Sequence, residues 1–143
     1  MQFKARASAL FLAALSSASA CTGLVAGPEA TATAPVMASR DSAYVRARRA
    51  VQAEAFTVDI ADSVGGRITG TRYPSSNAQI GSSAACRVRL ALQIQGDGER
   101  AQVATMSRWL APEPMEQQAS TVCEKERVEV LTRVTQTIEP PAQ

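Results

Sequence analysis

The chain has 143 residues, 15 Lys plus Arg against 13 Asp plus Glu, three cysteines and no histidine. That length allows one ordinary domain behind a processed leader. The near balance of charge argues against a nucleic-acid groove or a polybasic membrane patch. The lack of histidine excludes Ser–His nucleophilic machinery and weakens any zinc site.

The first segment predicts export. Lys4 and Arg6 give a positive start, Ala7–Leu15 is an apolar run of nine residues, and "SSASA" supplies small residues before Cys21. That order predicts a secretory signal peptide over residues 1–20; the run is far short of the roughly 20 residues a membrane-spanning helix takes. Removing Lys4 and Arg6 with the leader leaves 13 cations against 13 anions.

The stretch "LSSASAC", Leu15–Cys21, resembles the lipobox of bacterial lipoproteins. The resemblance implies a thioether-linked diacylglycerol on Cys21, an acylated amino terminus of the palmitate kind, and a membrane anchor. Thr22, where an Asp would retain the protein at the inner membrane, implies the outer membrane with the domain facing the periplasm. Ala18-Ser19-Ala20 also satisfies the small-x-small rule of ordinary signal peptidase, which would give a soluble periplasmic or secreted product. Parity favours the lipid. Exported proteins oxidise their thiols in pairs, and lipidating Cys21 leaves Cys86 and Cys123 free to bridge.

Residues 22–39, rich in Ala, Thr, Gly and Pro, predict a disordered tether, so that 21–39 is lipidated cysteine plus linker. The domain is expected over 40–139, with a disordered tail at 140–143. Arg40–Ala55 predicts a helix capped by Asp41 or Ser42, with Tyr44, Ala47, Val51 and Ala55 on its apolar stripe. "AFTVDI" then alternates, placing Phe56, Val58 and Ile60 on one side; "ADSVGG" turns and "RITGTRY" returns as a hairpin. Pro74–Ala85 reads as a loop.

"CRVRLALQIQ" alternates most clearly, with Cys86, Val88, Leu90, Leu92 and Ile94 on one face. "GDG" turns it into a partner strand over Arg100–Leu110. Residues 114–139 fit a helix through Met115, Ala119, Cys123, Val130, Val134 and Ile138, although "VEVLTRVTQTI" also alternates as a strand would. Helix is favoured, because no turn divides the segment. The expected fold is α+β: a four-stranded antiparallel sheet with an N-terminal and a C-terminal helix on one face, in the order α-β-β-β-β-α.

Candidate chemistry is sparse. Cys86 and Cys123 are too far apart in sequence for a Cys-x-x-Cys redox pair and read as a structural disulfide. No metal site and no cofactor are expected. Asp59, Asp62, Glu124, Glu126 and Glu129 read as solvated or ion-paired carboxylates rather than an acid–base pair. Arg46, Arg48, Arg49, Arg87 and Arg89 could form a basic patch for carboxylate or phosphate partners, with ordinary solvation as the competing reading. Trp109 and Tyr73 are candidate partner anchors, competing with packing at sheet ends. The composite expectation is a non-enzymatic, membrane-anchored module that binds or assembles with another envelope component. The alternative is a periplasmic inhibitor or immunity protein against a wall-degrading toxin.

Overall fold

The computed structural model describes residues 23–139; the leader and Cys21 at one end, and the 140–143 tail at the other, lie outside them. In chain order the elements are β1 (Leu24–Ala26), β2 (Ala30–Val36), α1 (Arg40–Ala53), β3 (Thr57–Asp62), β4 (Arg67–Arg72), β5 (Arg87–Asp97), β6 (Arg100–Pro112) and α2 (Glu116–Ile138). Short 3₁₀ turns at Ser83–Ala85 and Glu113–Met115 lead into β5 and α2. The class is α+β, as expected, but the antiparallel sheet has six strands rather than four.

The two extra strands come from the stretch expected to be a tether. β1 pairs with Leu110–Pro112 and β2 with Ala101–Ser107, so both lie end to end along one edge of β6. Nearly every side chain of "ATATAPV" is solvent-exposed, so its sequence carries no apolar alternation. What holds it is the row of backbone groups on β6, which would otherwise stand unpaired. Between the two strands, the Gly27 amide donates to the Trp109 carbonyl at 3.0 Å. A Cβ on Gly27 would collide with the Trp109 indole, so only glycine permits this close approach.

β5 behaves as its alternation predicts: Val88, Leu90, Leu92 and Ile94 are buried. They meet Tyr44, Ala47 and Val51 of α1 and Val130, Val134 and Ile138 of α2 in one core on one side of the sheet. Ser39, not Asp41 or Ser42, caps α1 by accepting from the Ser42 amide. Ala55 lies outside the helix at φ 59°, so the stripe is instead completed by Ala43 and Ala50. β3 departs from its expected alternation as well. A bulge between Val58 and Ile60 shifts the register, leaving Ile60 44% exposed. An extra residue reverses the facing of everything after it, which no periodicity count anticipates.

Residues 116–138 are one helix, which resolves the ambiguous segment. Its buried line runs Ala119, Cys123, Arg127, Val130, Val134 and Ile138. Arg127, an apparent interruption of the stripe, points into the sheet. Its Nη1 donates to Ser107 Oγ at 2.9 Å and its Nε to Glu124 at 2.9 Å. Hydrogen-bonding to the guanidinium holds the Glu124 carboxyl below its ordinary value, against the opposing effect of burial.

A second, smaller core gathers Trp109, Ala111, Met115, Ala119, Cys86 and Cys123. The expected Cys86–Cys123 disulfide is present in it, with the Cα atoms 5.4 Å apart. It ties the entry of β5 to the first turns of α2. Among the described residues, no helix is long and apolar enough to cross a membrane.

Candidate functional site

Both helices pack on one face of the sheet, and among the described residues no layer covers the other face. Strand pairing decides what that face carries. Opposite residues in an antiparallel pair project to the same side. Arg89 is the register partner of both Arg108 on β6 and Thr71 on β4, and Ala91 that of Met106 and Thr69. These side chains therefore share the uncovered face, together with Arg87 and Gln93 on β5 and Arg67 on β4.

At its centre lies an open depression of about 520 Å³, lined by Asp59, Thr71, Tyr73, Arg89, Met106 and Arg108, with Glu29 at its rim. A second hollow of about 300 Å³ continues it past Ala91 and Met106 toward Arg67 and Thr33. Between the sheet and α2, a crevice along Val36, Val103 and Ile138 holds about 50 Å³, room for one or two waters.

Asp59, on the side of β3 opposite Val58, lines this site and accepts from the Thr71 hydroxyl at 2.9 Å. Arg87 stacks on Tyr73, its guanidinium carbon 5.0 Å from the ring centroid. Among the described residues, ion pairs join Arg72 to Glu126, Lys125 to Glu129, Arg127 to Glu124, Arg133 to Glu54 and Arg40 to Asp41. None involves Arg87, Arg89 or Arg108. The Nε atoms of Arg87 and Arg108 are buried and, among the described residues, have no hydrogen-bond partner. Of the carboxylates singled out in the sequence, Asp62 accepts from the Gly65 amide at 2.8 Å, and Glu124, Glu126 and Glu129 are ion-paired. Among the described residues, no group of three or more His, Cys, Asp or Glu converges as a metal site would require.

The expected basic patch is therefore divided. Arg87 and Arg89 lie on the uncovered face, whereas Arg46, Arg48 and Arg49 are exposed on α1, which packs against the opposite face. The two sets cannot act together, because the sheet stands between them. Trp109 is also excluded as a partner anchor: it is 6% exposed, inside the second core and under Gly27. Tyr73, 54% exposed, remains available at the lip of the depression. Arg108 and Asp59 escaped the sequence reading as site residues. Arg108 could have been found by pairing the "CRVRLALQIQ" strand with its partner across the "GDG" turn; alternation already set Asp59 on the side opposite Phe56 and Val58, and only the depression beside it marks it as a site residue.

No family model matches the chain, and no curated protein matches it. Solved structures do share its fold. Norcoclaurine synthase from Thalictrum flavum is similar over 92% of this chain and 98% of its own, with a TM-score of 0.51 at 6% identity. The same enzyme bound to dopamine and hydroxybenzaldehyde aligns over 80% and 85%, with a TM-score of 0.52 at 8% identity. A DUF4468 family protein from Bacteroides ovatus aligns over 79% and 86%, with a TM-score of 0.43 at 9% identity. The arrangement is helix-grip-like, an antiparallel sheet closed around a long C-terminal helix. At these identities the likeness is one of fold alone. It nonetheless corrects the expectation of a non-enzyme. A synthase is built on this frame, so the fold does not place the chain outside catalysis.

Proposed function

We propose that the protein is a lipid-anchored module of the cell envelope that binds another envelope component on its uncovered sheet face. The observation that carries this reading is the bare face itself. It holds a depression of about 520 Å³ into which cationic, anionic, hydroxyl and aromatic groups converge, and its arginines have no carboxylate partner within ion-pairing distance among the described residues. Charged groups left unpaired in a concavity are the ordinary preparation for a polar partner.

The anchor is proposed on the Leu15–Cys21 resemblance. Only Thr22 and Gly23 separate Cys21 from the start of β1, a span of about 11 Å at full extension. With β1 and β2 locked to β6, a lipid on Cys21 holds the β1 end of the domain close to the bilayer, with no long linker. The uncovered face then works at the membrane surface rather than at a distance from it.

Two measurements test the reading. Labelled fatty acid enters the wild type and not Cys21→Ser; absence of labelling removes the anchor. A photo-crosslinking residue at Thr69, on the uncovered face, captures one reproducible envelope component in intact cells, while the same group at Arg48 on α1 does not. Equal capture from both positions, or none from Thr69, overturns the assignment of the face.

A further inference from the structure

We infer that the depression on the uncovered face recognises a phosphoryl group, with Arg89 and Arg108 as its two forks and Arg87 as a third cation beside them. This deepens the reading of that face as a binding surface and rests on it. Arg89 and Arg108 are direct register partners on β5 and β6, which brings their Cβ atoms to about 4.5–5.5 Å. Like charges directly opposite across an antiparallel pair repel. Arg87, two residues along β5, projects to the same side, diagonal to Arg108. Three arginine side chains thus spring from one small area of sheet, with Arg87 directed over Tyr73 beside the depression.

Neutralising carboxylates stand close by and are not used. Asp59 and Glu29 line the same depression, yet neither is within 4.0 Å of a guanidinium nitrogen, and Asp59 is held by the Thr71 hydroxyl. Like charges so placed, with no carboxylate paired to them among the described residues, call for an anion from outside. A carboxylate offers one charge and one planar fork. A phosphoryl group offers up to two charges and acceptors in three directions, which suits cations converging from two strands. Asp59 and Glu29 at the margin favour a phosphate ester whose organic part carries hydroxyl or ammonium donors over bare phosphate.

The phosphoryl group could belong to a soluble ester or to a phospholipid headgroup, and the experiment separates them. The full chain, purified in a phosphate-free non-ionic detergent, is titrated at constant ionic strength with glycerol phosphate, inorganic phosphate, succinate and phosphatidylglycerol vesicles. Melting temperature and binding heat are read. Saturable binding of glycerol phosphate identifies a soluble ligand; saturable binding of the vesicles alone identifies the headgroup. In either case Arg89→Gln and Arg108→Gln each weaken it at least tenfold, and Arg46→Gln on α1 leaves it unchanged. The ligand-free melting temperature of Arg108→Gln equals or exceeds that of the wild type, because the substitution removes repulsion; this also verifies that the variant is folded. The inference falls if only non-saturable salt effects appear, if succinate binds as tightly as the phosphate ester, or if the Arg89→Gln/Arg108→Gln double variant binds normally. Should phosphate fail while crosslinking from Thr69 persists, only the phosphoryl assignment is lost. Should crosslinking fail while phosphate binds, the envelope-partner reading is the one that goes.

Discussion

Opening the Cys86–Cys123 bond is expected to cost a large share of the domain's stability. The two cysteines are 37 positions apart. In the chain-entropy model, closing a loop of that length restricts the unfolded chain enough to contribute about 4 kcal/mol at 25 °C. The bond closes over the whole of β5 and β6, so the constrained loop contains the central hairpin of the sheet. With an unfolding entropy of roughly 2.1 cal/mol/K per residue, a loss of that size lowers the melting temperature of a domain this long by about 15 °C. The assay is urea unfolding followed by far-ultraviolet circular dichroism in three samples: oxidised wild type, wild type under strong reductant, and Cys86→Ala/Cys123→Ala. Reduced wild type keeps both side chains and reports the cross-link alone. The double variant should lose somewhat more, since both sulphur atoms are buried in the second core and their removal leaves a void. A loss below about 1 kcal/mol on reduction would refute the reasoning. It would mean that the packing around Trp109 and Met115 already confines the two segments without the bond.

The remaining predictions address particular contacts. Arg127→Ala should destabilise the domain by about 2–3 kcal/mol, because a side chain 6% exposed and hydrogen-bonded to Ser107 and Glu124 is lost with its packed stem. Arg127→Met, which keeps most of the volume, should lose less in the same urea titration. Glu124 has a folded pKa below its ordinary value. Its contribution is therefore complete above the usual carboxylate range and disappears as pH falls through the folded pKa. Glu124→Gln should flatten stability against pH in that acidic window and leave it unchanged in shape near neutrality; an unaltered acid limb would count against the pair. Gly27→Ala forces a Cβ into the Trp109 indole and should cost about 1–3 kcal/mol, with a shifted emission spectrum from the chain's one tryptophan. Hydrogen exchange should show slow amides within Ala30–Val36 where they bond to β6; free exchange throughout would restore the tether in place of β2.

The helices and the central strands were legible because each buries a face and so prints its period on the sequence. β5 alternates for eight residues from Val88 to Gln95, and α2 repeats at three and four for six turns, Arg127 included once its partners are known. Cysteine parity likewise indicated which sulphurs would meet. β1 and β2 were illegible for the opposite reason. Apart from Val36 at the end of β2 they bury little, and a strand held by backbone hydrogen bonds to a waiting edge has no side-chain pattern to reveal it. The site divides along the same line. Composition alone supplied arginines, a tyrosine and no histidine, and strand alternation placed Arg87 and Arg89 on the wet side. Only the tertiary structure gathered Arg89, Arg108 and Asp59 around one depression, hid Trp109 and moved the α1 arginines to the far side of the sheet. Periodicity within one segment reports which way a side chain faces; which strand lies beside it depends on pairing between distant segments, and that information is shared by the whole chain rather than written in any one part of it.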